Sequence, residues 1–421
     1  MRIRWAVFVL SAAFAARLGA QIPDDPAARR EDLRALAEGI PKLHPNAFHD
    51  VPREEWRRAV SSLDAAAPSL DREEFAVGLM RLVAKIGDGH TSLAPFFNEK
   101  LGFHAVGARL YAFSDGIFVR AAEPGRRDLV GARLVSVGGA PVEEAFRRVA
   151  EVVSHDNEEG LRQVVPLYFG VPEILHGVGL GSPAEAAWTL EKDGHRFDVR
   201  LPGVVPLGAG GHGHAGAYLW MTPASWVDAR AATAAPLWLR HAGDLHAMEY
   251  LPESRLLYVA YNAVADAPGD TASAFFARVF RFADEHAVDR VVLDIRNNSG
   301  GNNYLNAPLV RGILRSHFDE RGKLFVVIGR ATFSAAQNLV NDLSRFAEPI
   351  FVGEPTGSRP SQYGDHDPLV LPRSGLTVMV SRMFWPDRTS PDPRRWTAPD
   401  VAAPLSFADY RDGRDPALEA I

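Results

Sequence analysis

The chain has 421 residues, 47% of them hydrophobic and 23% charged, enough apolar material for two or three domains with sizeable cores. Its formal net charge of -6, with no basic run, argues against a nucleic-acid partner, because neutralising phosphates needs clustered Lys and Arg. There is no cysteine, so disulfides and a lipid-bearing cysteine are excluded, and an exported form must be held by packing alone.

The first twenty residues read as a secretory signal peptide. Arg2 and Arg4 precede an apolar run from Trp5 to Ala16, and Leu18-Gly19-Ala20 offers a small residue for cleavage after Ala20. A periplasmic or secreted protein follows, with a retained N-terminal anchor as the alternative. The run is short for a membrane span and is interrupted by Arg17, so no span is expected in the mature form.

Residues 21–95 form a helical region. One helix starts at Asp25-Pro26 and carries Leu33, Leu36, Ile40 and Leu43; a second covers Arg53 to Leu63. A third has Asp71 as N-cap, runs through Phe75, Leu79, Leu82, Val83 and Ile86, and is stopped by Gly87. His90 then lies in a loop, free for proton transfer or simply a loop histidine. Residues 96–200 contain Gly116–Ala122 and Leu129–Val142, short strands with turn chemistry, and a helix from Val142 to Val153. The pattern resembles a PDZ-like module, and Lys100-Leu101-Gly102-Phe103 is similar to the carboxylate loop of such modules.

Residues 201–249 read as an irregular linker. His212, His214, His241 and His246 fall there, but no carboxylate or cysteine pattern completes a metal site, so no metal is expected. Gly177-Val178-Gly179-Leu180-Gly181 lacks the preceding strand of a nucleotide loop and reads as a turn.

Residues 250–421 alternate strands (Tyr258–Tyr261, Val291–Ile295, Leu324–Ile328, Ile350–Val352) with helices (Thr271–His286, Tyr304–Ser316, Ser334–Phe346). Alternation of this kind implies βαβ units around a mainly parallel sheet, an α/β core. Ligands usually bind where strand C-termini meet helix N-termini. Two glycine-bearing turns fall there: Asn297-Asn298-Ser299-Gly300-Gly301 and Gly329-Arg330-Ala331-Thr332-Phe333-Ser334. A serine opening a helix can be a nucleophile, since the unpaired amides and the helix dipole favour an oxyanion. It can equally be a plain N-cap.

Four motifs occur in order: Gly87-Asp88-Gly89-His90-Thr91, Leu293-Asp294-Ile295-Arg296-Asn297-Asn298-Ser299-Gly300-Gly301, Thr332-Phe333-Ser334-Ala335-Ala336 and Val352-Gly353-Glu354-Pro355-Thr356-Gly357. Together they resemble the tail-specific, or C-terminal processing, serine peptidases, in the branch that includes the core of tricorn protease. The resemblance implies a crotonase-like core, a peptide or protein substrate and no cofactor. It implies Ser334 as acyl-forming nucleophile, with the amides of Ala335 and of Gly300 or Gly301 as oxyanion hole. One branch of the family places a lysine base twenty-five residues after the serine; here that residue is Arg359, too basic to accept a proton at neutral pH. The Ser/His branch, with His90 as general base, is therefore expected. For the acid that orients the histidine, Asp392, near Pro399-Asp400, stands beside Glu354 and Asp88 as candidates. The competing reading is a non-catalytic carrier of apolar ligands or binder of peptide tails on the same fold.

Overall fold

The computed structural model describes residues 22–208, 220–230, 233–387 and 392–421. The signal-peptide reading and His212 and His214 lie outside them. Three helices open the described chain: α1 (Pro26–Leu43), α2 (Arg53–Ala66) and α3 (Arg72–Ala84). The Asp25 carboxylate caps α1 by accepting the Ala27 and Ala28 amides (3.1 and 3.3 Å). Asp71 and Glu74 form a reciprocal capping box on α3. Gly87 takes φ +84°, so the chain turns off the helix where a side chain would be strained.

A β-rich unit follows: β1 (His104–Val106), β2 (Ala108–Phe113), β3 (Gly116–Ala122), β4 (Arg133–Val137) and β5 (Ala140–Pro141). Helices α4 (Val142–Ala150), α5 (Glu158–Tyr168) and α6 (Pro172–Gly177) lead to β6 (Glu185–Lys192), β7 (His195–Pro206) and β8 (Val227–Asp228). The main path is β1-β7-β6-β4-β3-β2, antiparallel throughout, with β5 on β4 and β8 on β3. Alternate side chains of β6 (Ala186, Trp188, Leu190) are buried, the period expected of a strand with one face on a core. The stretch read from sequence as an irregular linker thus contributes the end of β7 and all of β8. It also supplies α7 (Leu237–Arg240) and β9 (His246–Leu251), because long-range pairing, not local pattern, makes edge strands.

The last part comprises β10 (Leu256–Tyr261), α8 (Ala272–Glu285), β11 (Arg290–Asp294), α9 (Ala307–Arg315), β12 (Leu324–Ile328), α10 (Ala335–Phe346) and β13 (Ile350–Gly353). The chain closes with β14 (Gln362–Val370), β15 (Thr377–Trp385), β16 (Val401–Ala402), α11 (Phe407–Arg411) and α12 (Pro416–Glu419). The sheet order is β16-β13-β12-β11-β10-β9, parallel except for β9 at one edge. Pairing of Asp294 with Val327 and of Ile328 with Gly353 brings the C-terminal ends of three strands together, and with them the turns that follow β11, β12 and β13.

The antiparallel hairpin β14–β15 stands apart from that sheet. Its Val378 and Val380, with Leu371 and Leu376 from the turn, join Leu36, Ile40, Phe75 and Leu79 of the N-terminal helices in one core. The joint is also polar: buried Asp32 on α1 accepts the amides of Arg373 (2.7 Å) and Ser374 (2.9 Å) at the hairpin turn. Asp32→Ala leaves the buried Ser374 amide unpaired and frees that of Arg373, and should cost about 1–3 kcal/mol, read as a lower denaturant midpoint with unchanged slope.

Candidate active site

Ser334 sits between β12 and α10 with φ +57° and ψ -125°, a conformation that non-glycine residues rarely adopt. Such strain persists only where neighbours enforce it, and here both peptide groups are held. The Ser334 amide donates to Ser358 Oγ (3.1 Å), and its carbonyl accepts from Gln362 Nε2 (3.0 Å) and from the Asn338 amide (3.1 Å). Ser358 Oγ donates in turn to Gln362 Oε1 (2.8 Å). The turn is aimed outward, and the Ser334 hydroxyl caps no helical amide. It meets His90 Nε2 at 2.9 Å. Thr332 has a structural role: its hydroxyl donates to the Ile295 carbonyl (2.9 Å) and accepts the Gly329 amide (3.0 Å).

His90 comes from 244 residues earlier and is fixed by its loop. Asp88, buried, accepts from the His90 amide (2.9 Å), the Thr91 amide (2.7 Å) and Ser381 Oγ on β15 (2.7 Å) through one oxygen. Its other oxygen accepts from His44 Nε2 (3.1 Å); His44 Nδ1 takes the Asn46 amide (2.9 Å), which assigns the proton to Nε2. Burial opposes the Asp88 charge, but these donors overcome it and hold the carboxyl well below its usual range. Reciprocal bonds between Ser92 and Met379 (2.8 and 2.9 Å) fasten the loop to β15.

The imidazole stacks on Phe333, with centroids 4.5 Å apart and planes 23° from parallel. Burial drives its pKa down to about 4, opposed by the Asp88 charge and helped by His366. At neutral pH the ring is therefore neutral and able to accept a proton. Its Nδ1 is buried and makes no well-formed hydrogen bond among the described residues, although the Tyr363 main chain favours the protonated ring.

Gly300 (φ +102°) packs directly on the serine: a Cβ there would lie 2.6 Å from Ser334 Cβ and 2.8 Å from the Ala335 nitrogen. The Gly300 amide is donated to Asn298 Oδ1 (2.9 Å). Between the two glycines of the sequence expectation, this leaves Gly301, whose amide, like that of Ala335, has no acceptor among the described residues. Gly301 and Ser334 line one cleft of about 720 Å³, with His90, Phe96, Val153 and Leu167 among its walls.

The acids expected beside the histidine are elsewhere engaged. Asp392 pairs with Arg394 (2.7 Å) and accepts from Ser361 (3.4 Å), and Glu354 faces buried Arg330 (3.4 Å); neither hydrogen-bonds to His90. Arg359 turns its Nε to the Asp156 carbonyl (2.7 Å). Two amides of the stretch read as a carboxylate loop, those of Leu101 and Gly102, are donated instead to the Asn98 and Glu99 carbonyls. His241 pairs with Asp244 and Glu249, and His246 with the Ala265 carbonyl. Not legible in the sequence are Phe333, which stacks on His90, and Ser358 and Gln362, which hold the Ser334 backbone. The last two come from the turn after β13 and from the hairpin, which carry no local signature.

No protein-family model and no curated protein matches the chain. Solved structures do. Mature CPAF matches with a TM-score of 0.64 and 13% identity over 94% of this chain and 96% of that one. CPAF complexed with lactacystin gives 0.63 and 12% over 92% and 96%. The photosystem II D1 C-terminal processing protease gives 0.41 and 14% over 93% and 98%. At these identities the likeness is one of fold alone, and it is carried by the CPAF structures. No helix among the described residues is long and apolar enough to cross a membrane.

Two outcomes follow from the geometry. Gly300→Ala should push Ser334 off line and slow its reaction with a fluorophosphonate by roughly 100-fold, the scale of an ångström's misplacement. Only a neutral imidazole can take a proton from Ser334, and the His90 pKa is held at about 4, so a loss of serine reactivity caused by His90 protonation should fall near pH 4, not near 6.5; labelling rates against pH measure it.

Proposed function

We propose that the chain is an exported serine peptidase that hydrolyses peptide bonds through an acyl-enzyme on Ser334. The observation that carries this is the 2.9 Å contact between Ser334 Oγ and His90 Nε2, made by a neutral imidazole and a strained serine at a helix N-terminus. His90 takes the hydroxyl proton as Oγ attacks the peptide carbonyl, and the carbonyl oxygen gains its negative charge beside the amides of Ala335 and Gly301. Protonated His90 then passes the proton to the departing amine, and water repeats the sequence to release the acyl group. The parallel sheet serves as the crotonase-like core and the β-rich unit as the PDZ-like module. Asp88 positions the base through its loop and does not touch the ring.

The cleft supports an extended peptide: it is largely apolar, open to solvent, and runs from Ser334 to Phe96 and Phe97. A carrier on the same fold would bury Ser334 within an apolar cavity and leave it unpaired. Here the serine is partly exposed and paired, which favours hydrolysis. Ser334→Ala should abolish fluorophosphonate labelling and reduce peptide hydrolysis by at least roughly 1,000-fold with the melting temperature unchanged. Retained hydrolysis in that variant would overturn the reading.

A further inference from the structure

Asp156 belongs to none of the four motifs, yet it reaches both halves of the site. It is buried and immediately precedes Asn157, the N-cap of α5. One carboxylate oxygen accepts the amide of Gly89 (2.8 Å), the residue before His90. The other faces the Arg359 amide (3.3 Å), and the Asp156 carbonyl accepts Arg359 Nε (2.7 Å). Asn157 extends the grip by donating Nδ2 to the Thr356 carbonyl (3.1 Å) and the Arg395 carbonyl (2.8 Å). The segment 356–359 so held contains Ser358, whose hydroxyl receives the Ser334 amide (3.1 Å). Packing leaves little slack. A Cβ on Gly89 would lie 2.7 Å from Phe333, and one on Gly357 2.1 Å from the Arg330 carbonyl.

We infer that Asp156 is a positioning residue for catalysis, a single carboxylate that sets the His90 loop and the Ser358 support of Ser334 in register with each other. The inference rests on the Ser334–His90 reading. A carboxylate accepts on both oxygens, and the groups that converge on it are the amides of Gly89 and Arg359 and the Ser358 hydroxyl. Asn cannot replace it, since its amide nitrogen would confront one of the two N–H groups. Protonation weakens the same grip, because an oxygen that accepted from a loop then carries a proton of its own. The charged and titratable groups around Asp156 are Asp88 and His90 from the loop after α3, Arg359 from the turn after β13, and the adjoining His155. Burial, reinforced by the Asp88 charge, raises Asp156 to about 6, so the step from one form to the other is expected near that pH.

The test measures fluorophosphonate labelling and peptide turnover from pH 4.5 to 8 for the full chain, with Ser334→Ala as control. Wild-type protein should show an acid step near pH 6, above that of His90. Asp156→Asn should label at least tenfold more slowly at pH 8, lower kcat with KM within twofold, and lack the upper step. Wild-type rates that are flat from pH 8 to 5, or an Asp156→Asn protein with wild-type rates or with the step retained, would overturn the inference. If Asp156→Asn does not fold, the wild-type profile decides alone. Labelling that survives Ser334→Ala would instead sink the peptidase reading itself.

Discussion

The site depends on one buried anion. Asp88 carries its charge in a water-poor environment because three donors converge on one oxygen and His44 supplies a fourth on the other. An unpaired buried carboxylate would cost several kcal/mol, so the surrounding groups are not free to drift. Two of the donors are amides of the His90 loop itself, and one is the Ser381 hydroxyl on β15. The same carboxylate thus shapes the loop and welds it to the C-terminal hairpin. That weld brings a histidine from the first quarter of the chain against a serine from the last.

The hairpin works because it belongs to two packing systems. Its inner side chains complete the core of the N-terminal helices, while Gln362, at its first residue, holds the Ser334 carbonyl. A strained serine needs such external enforcement. Residues in its backbone region cost of order 1–3 kcal/mol, offset here by hydrogen bonds to Ser358, Gln362 and Asn338. The strain projects the hydroxyl away from the helix it would otherwise cap and toward His90.

Where one local rule governed an element, the sequence was readable. The capping residues Asp25 and Asp71, the apolar runs of β11, β12 and β13 and the helical spacing of α10 are recovered to within a residue or two. Gly300 and Gly301 were recognisable because only glycine tolerates their positive φ so near another backbone. The hairpin β14–β15, the strands β6 to β9 and the supports Asp156, Ser358 and Gln362 were not legible, since each is defined by partners distant in the chain. The orienting acid shows the same division. Asp392 and Glu354 were plausible by position, and Arg394 and Arg330 claim them through contacts no spacing reveals.

The sequence by itself determined the chemistry on offer: a serine at a strand-to-helix turn, a histidine in a glycine-flanked loop, glycines able to crowd a backbone, and no lysine at the alternative position. Tertiary structure alone decided which of these groups meet and in what state. Contact between Ser334 and His90 requires two loops to be fixed by a third element, and the neutral form of His90 comes from burial, a property of the assembled core. The choice of Gly301 over Gly300 as the free amide was settled by where Asn298 turned its side-chain oxygen. Hydrogen bonds of this kind depend on distances of a few tenths of an ångström, which residue order does not encode until the chain has closed on itself.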